Sequence, residues 1–271
     1  MTDIRTITSG FAFGESPRWH DGRLWFSDWM AGDILAVDPV DGGTEVVARV
    51  PSAPFCFDFG PDGRAFVASG GEGALLVREP DGTLRPHADL SGLSKYPWNE
   101  VTADRRGGAY VNNIGFEFPD GEFGPGFVAY VEPGGTAVRE VAGDIAFPNG
   151  MALTPDGATL IVAESYAGRL TAFDVAPDGG LSGRRVWADL GDAAPDGICL
   201  DPDGAVWYAD VPHRRCARVR EGGEVLATVD FDRGAFSCAL GGPDGRTLFV
   251  VGQTWGEPSD EPSGRLYAVD V

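Results

Sequence analysis

Six segments of the chain follow one plan: GESPRWHDGRLWFSD, FCFDFGPDGRAFVAS, NEVTADRRGGAYVNN, NGMALTPDGATLIVAES, DGICLDPDGAVWYAD and SCALGGPDGRTLFVVG. In each, a strand-length apolar run leads into a glycine turn, and a second apolar run leads out of it. The turn glycines, Gly22, Gly63, Gly107, Gly157, Gly204 and Gly245, are about 41 to 50 residues apart, close to the ~40–45 of a four-stranded propeller blade. Helical solenoids need shorter periods or helical patterning.

Between these copies lie second hairpins, such as GDILAVDPVDGGTEVVARV and GFVAYVEPGGTAVREVA, with Gly or Asp turn chemistry at their centres. Each repeat therefore supplies four antiparallel strands. The last repeat stops after GRLYAVDV, one strand short, while the N-terminal DIRTITSG is spare. Pairing the two closes the ring and removes an open edge. The expectation is all-β: one six-bladed β-propeller domain over residues 1–271, closed by the N-terminal strand joining the last blade.

Composition agrees. The 40 glycines and 20 prolines punctuate apolar runs at even spacing, and 43% hydrophobic residues suffice for a core. A formal net charge of -20 repels phosphate backbones and anionic lipid, so neither nucleic acid nor a membrane surface is an expected partner. Lys95 is the only lysine, leaving one candidate for any Schiff-base chemistry. Cys56, Cys199, Cys216 and Cys238 show no CxxC spacing and follow no apolar leader, which points to a reduced, cytoplasmic compartment.

In a propeller the innermost strand of every blade runs along the central channel, so residues at one register before each turn glycine converge. Counting back eight gives Asn99, Asn149, Asp196 and Ser237; blade 1, with a shorter turn, gives Glu15 at seven, and blade 2 offers Phe55 or Cys56. Asn and Asp are common before turns for local reasons. Recurrence at one register weakens that explanation, because two carboxylates facing one another across a channel repel unless a proton or cation lies between them. With oxygen donors and no imidazole or paired thiolates, the set suits one divalent hard cation, Ca2+ first, with Mg2+ or Mn2+ as substitutes and the borderline-soft Zn2+ as a less suited alternative. Asp62, Asp156, Asp203 and Asp244, at the opposite ends of the hairpins, are expected to be plain turn formers. His20, His87 and His213 are isolated from one another, so neither a histidine zinc site nor a Ser-His-Asp triad is indicated.

Through GESPRW around Glu15, FPNGMALTPDG around Asn149 and APDGICLDPDG around Asp196, the chain resembles the SMP-30/gluconolactonase/LRE-like family along essentially its whole length. The resemblance implies a six-bladed propeller with one divalent cation in the channel, held by Glu15, Asn149 and Asp196. It also implies that Asn99 reaches metal or substrate and that Asp196 is ligand and general base at once. Some sugar-lactonase relatives carry a sugar-holding arginine where this chain has Pro97. Glu117 falls near a substrate-binding acid of some relatives.

Residues after the second strands should rim the mouth: Trp29, Asn113, Glu117, Tyr166 and His213. Trp29, Asn113, Glu117, Tyr166 and Asn99 are the candidate substrate contacts, although aromatic residues at strand ends more often serve packing. Tyr96, Trp98, Phe116 and Phe118 suggest an apolar mouth. The expected activity is metal-assisted opening of a small lactone, with Asp196 and Asn99 as catalytic residues. Alternatives are a non-hydrolytic metal-dependent isomerase, cyclase or lyase in the same pocket, and a non-catalytic binding propeller stabilised by its cation.

Overall fold

The computed structural model describes residues 3–255 and 262–271. Twenty-four strands, numbered β1 to β24 in chain order, form six sheets of four. Five blades are built from consecutive strands. The sixth has the order β1-β24-β23-β22, so β1 (Ile4–Ser9) pairs antiparallel with β24 (Arg265–Asp270) and fastens the two ends of the chain together. The six turn glycines all adopt positive φ, between 71° and 87°, a region that glycine enters without a Cβ clash.

Six apolar clusters hold the ring, each shared by two neighbouring blades. Their cause is period-2 alternation in strands covered on both faces. In β19 (Val206–Asp210), Val206 and Tyr208 face the fourth blade, whereas Trp207 and Ala209 face the sixth. In β23 (Thr247–Gln253), Leu248 and Val250 face the fifth blade, and Phe249 and Val251 face the first. Fully burying one such side chain contributes about 1.5–3 kcal/mol, so each blade is stabilised mainly by its neighbours. All four cysteines are free, with the sulfurs of Cys199 and Cys238 3.9 Å apart. Among the described residues no helix is long and apolar enough to cross a membrane.

The channel is lined by β2 (Gly14–His20), β6 (Phe55–Phe59), β10 (Trp98–Ala103), β14 (Pro148–Leu153), β18 (Pro195–Leu200) and β22 (Gly234–Gly241). Except in β6, the pairing of each with its second strand is broken by a register shift near the start of the strand. In β14 the shift lies between Pro148 and Met151, so Asn149 and Gly150 oppose Ala163 alone; Asp196 and Gly197 oppose Ala209 in the same way. Such a bulge re-aims a side chain that regular pleating would send elsewhere.

Candidate functional site

Glu15, Asn99, Asn149 and Asp196 all line one cavity of about 440 Å³ at the end of the channel where the inner strands begin. Glycines permit the close approach. A Cβ on Gly150 would lie 2.6 Å from the Asp196 carbonyl oxygen, and one on Gly197 would lie 1.9 Å from Ser237 Oγ. Gly150 has no positive φ; contrary to the usual reading of Asn-Gly as a bend, it makes room for the next blade. In blade 1 the corresponding neighbour is Ser16, at φ 54°, whose hydroxyl donates to the Phe57 carbonyl and accepts from the Phe57 N–H, both at 2.9 Å.

The orientation of Asn149 follows from its neighbours. The Ser165 hydroxyl donates to the Pro195 carbonyl at 2.7 Å, so toward Asn149 it presents a lone pair, which the amide Nδ2 meets at 3.4 Å. Oδ1 therefore turns toward Asn99, whose Nδ2 lies 3.5 Å away. The backbone is fixed as well: Asn112 Nδ2 donates to the Asn149 carbonyl at 2.7 Å.

Burial, then the charges of Asp196 and Glu100, push the Glu15 carboxyl well above its ordinary range. Asp196 opens onto the cavity, yet burial and Glu100 push it up too, against a contribution from the Asn149 amide. Burial also raises Glu100, with Arg18 opposing. Arg18 is committed below the floor, to Asp58 at 3.1 Å and Glu100 at 3.4 Å. Cys56, not Phe55, shares this channel environment, since Glu100, Glu15 and Arg18 act on its thiol; Phe55 belongs to the core between blades 1 and 2. Among the described residues no group of three or more His, Cys, Asp or Glu side chains is placed to hold a metal ion by itself. The convergent set is two carboxylates and two amides.

Of the expected rim residues, Trp29 and Tyr166 line the cavity. Asn113 does not. It is fully buried, donates to the Tyr96 carbonyl at 2.8 Å and accepts from Gly115 N at 3.0 Å, which uses its amide to hold the loop. The same strand-end position in the other blades is held by Asp28, Ser69, Glu164, Asp210 and Gln253, all buried. Asp28 accepts from the N–H groups of Ala12 and Phe13, Glu164 from Ala146 and Asp210 from Ala194. These six polar residues tie down the loops from which the inner strands start.

Glu117 is exposed and outside the cavity lining, although its neighbour Phe118 is inside. His213 also lies outside, bonded through Nδ1 to Asp210 at 2.8 Å. Blade 6 contributes Phe236, its bulged residue, in place of Ser237, which packs on Gly197. Of the expected apolar mouth, Phe118 is present and Pro97 joins it. Trp98 is fully buried between blades 2 and 3, and Phe116 lies behind Phe118. Phe13, Phe147 and Trp255 also line the cavity. The first two precede inner strands, and this is the signal that could have marked them.

The chain is 25% identical to a 6-deoxy-6-sulfogluconolactonase of Pseudomonas putida, over 92% of this chain and 86% of that one. It is 26% identical to a lactonase drp35 of Staphylococcus saprophyticus over 69% of this chain and 60% of that one, so it spans less than two thirds of that relative's length. Among solved structures, a luciferin-regenerating enzyme superposes with a TM-score of 0.84 at 20% identity, covering 100% and 96% of the two chains. A calcium-binding regucalcin of Agrobacterium tumefaciens superposes with a TM-score of 0.82 at 21% identity, covering 99% and 93%. These likenesses establish the fold. The family model described as the SMP-30/gluconolactonase/LRE-like region matches residues 13–254, and with that match over most of its length the chain belongs to this family.

Proposed function

We propose that the protein is a metal-dependent hydrolase of the lactonase type that opens a small cyclic ester. The observation carrying this reading is the convergence of Glu15, Asn149, Asp196 and Asn99 on the floor of an otherwise largely apolar cavity. Their chemistry fits a divalent hard cation: every donor is oxygen, the two carboxylates repel, and the nearby guanidinium of Arg18 is committed to other acids. Glu15, Asn149 and Asp196 would hold the ion, Ca2+ first among candidates. When bound, it supplies Lewis-acid polarisation of the ester carbonyl.

The chain's own residues do the rest. Water adds to the carbonyl carbon, the bond from that carbon to the ring oxygen breaks, and the ring oxygen takes up a proton, leaving a hydroxy acid. Asp196, at the floor, accepts the proton from water and returns it to the departing oxygen. Asn99 keeps amide N–H capacity, because its contact to Asn149 is long at 3.5 Å, and orients the substrate carbonyl. The curated relatives named as lactonases support the reaction class.

The test is a lactone panel run after chelation and again after adding back Ca2+, on wild type, Asp196→Ala and Asn99→Ala. Activity should vanish with the ion and return with it. Asp196→Ala should lose about a thousandfold or more, and Asn99→Ala on the order of tenfold to a hundredfold. Full turnover by Asp196→Ala with no bound cation would remove the mechanism. A second reading, a non-hydrolytic metal-dependent reaction on the same floor, is favoured by Pro97 standing in the lining where some sugar-lactonase relatives carry arginine. Incorporation of oxygen from labelled water into product separates the two.

A further inference from the structure

Above its oxygen-bearing floor, the cavity is a slot between two aromatic walls. One wall is Phe118, Phe147 and Tyr166, with Phe147 stacked on Tyr166 at 4.7 Å and packed edge-on to Phe118 at 5.2 Å. The other is Phe13, Trp29 and Phe236, with Phe13 stacked on Trp29 at 5.0 Å and edge-on to Phe236 at 5.1 Å. The rings lining the cavity fall into these two separate sets, the first from blades 3 and 4 and the second, which Trp255 joins, from blades 1 and 6 on the opposite side of the ring.

Both walls are built to present rings and little else. The Trp29 indole N–H donates to the Phe55 carbonyl, so the indole offers the cavity no free donor. Phe147 has φ 59°, a strained conformation for a residue with a side chain. It is held there by Ser165 N donating to its carbonyl at 3.1 Å and by Tyr166 N donating to the Ala146 carbonyl at 3.2 Å. Tyr166 packs on Phe147 and Phe123 yet stays 56% exposed, so part of its ring is left open to water at the cavity.

The polar inventory is equally selective. Among the described residues, Glu15 and Asp196 are the only charged ones that line the cavity, with no Arg, Lys or His. With a divalent ion on the two carboxylates the floor is near neutral. The walls offer a carboxylate, phosphate or sulfonate on the far part of the substrate no basic side chain to pair with, unlike what the name of the Pseudomonas putida relative implies for its own substrate. A polyhydroxylated sugar ring would place several hydroxyls against aromatic faces, each costing roughly 1–3 kcal/mol if left unpaired. Ser165 Oγ already serves Pro195 and Asn149.

Building on the lactonase reading, we infer that the substrate is an uncharged lactone carrying a flat aryl or fused-ring group, which stacks between the walls while the ester rests on the floor. Hydrolysis consumes one water, breaks the acyl carbon to ring-oxygen bond and yields the aryl-bearing hydroxy acid.

The test compares γ-phenyl-γ-butyrolactone with γ-butyrolactone and D-glucono-1,5-lactone as substrates of the Ca2+-loaded protein. It also measures calorimetric binding of 2-phenyltetrahydrofuran, which has the ring and the aryl group but no ester. The aryl lactone should exceed gluconolactone in kcat/KM by about a hundredfold, as two stacked faces allow. Tyr166→Ala should raise KM for the aryl lactone roughly tenfold, with kcat little changed, and by more than it raises KM for γ-butyrolactone. 2-Phenyltetrahydrofuran should bind wild type and Asp196→Ala alike, and Tyr166→Ala more weakly. Binding of this ether with no lactone opened would refute the hydrolase reading and sustain the slot. Gluconolactone turned over as well as the aryl lactone, or ether binding that is absent or indifferent to Tyr166→Ala, would overturn the inference.

Discussion

The two ends of the propeller channel carry acidic residues in repeated positions, yet their environments are opposite. At the turn end, Asp156 accepts from the Thr154 hydroxyl at 2.6 Å and from Ala158 N at 3.0 Å, and the Thr154 hydroxyl, then the Ala158 N–H, hold its carboxyl below the ordinary range. Asp62 and Asp244 similarly accept from the N–H two residues on. At the cavity end, Glu15 and Asp196 have few donors and are pushed up by burial and by neighbouring acids. The lesson is that residue type and periodicity do not distinguish a turn former from a ligand. Local donors and depth do. Blade 5 sharpens the point: its turn is held by Asp201, which accepts from the N–H groups of Asp203 and Ala205, while Asp203 only meets Arg218 at the surface.

The strongest way to break the comparison is to make one change at each end. Asp196→Ala should reduce kcat/KM about a thousandfold or more, whereas Asp156→Ala should leave it within about twofold; comparable losses from both would erase the distinction. Next in size is Asp28→Ala. It removes the acceptor for the N–H groups of Ala12, Phe13 and Met30 at a buried strand end. Denaturant unfolding should show a loss of about 2–4 kcal/mol, and an unchanged midpoint would show that the loops rest on other contacts.

A smaller effect of opposite sign is expected at Glu15. In the cation-free protein its folded-state pKa lies above the unfolded value, so the native state holds a proton that the unfolded chain releases. Stability therefore falls as pH rises from the ordinary carboxylate range through the raised value. With chelator at neutral pH, Glu15→Gln should stabilise by on the order of 1 kcal/mol, raising Tm by about 2–4 °C. Below the ordinary carboxylate range the gain should disappear. A destabilised variant in chelator would place a favourable partner at Glu15 that the repulsion argument omits. Smallest of all, Asp156→Ala should shift Tm by less than any of the preceding variants, since its carboxylate is exposed.

Much of this was legible in the sequence because it is written six times. The turn glycines fixed the blade period, and counting back from them found Glu15, Asn99, Asn149 and Asp196. The bulges were not legible, since an extra residue in a strand leaves no mark in an apolar alternation. One-residue ambiguity followed: Ser237 was expected where Phe236 lines the cavity, and Phe55 or Cys56 stayed open until the channel charges around Cys56 were seen. Asn113 was misplaced for a different reason, because a buried amide that clamps a loop and one that meets a ligand look identical in one dimension. Only its bonds to Tyr96 and Gly115 tell them apart. The aromatic walls come from loops of several blades, and their pairing depends on paths that a single chain does not encode locally.

The central claim is that Glu15, Asn149 and Asp196 share one divalent ion. Calorimetric titration of chelator-treated protein with Ca2+ tests it most directly. Wild type should bind one ion per chain, and Glu15→Gln and Asp196→Asn should each weaken that binding by about tenfold or more, as expected when a carboxylate leaves the coordination sphere. Wild-type affinity retained in both variants would contradict the account.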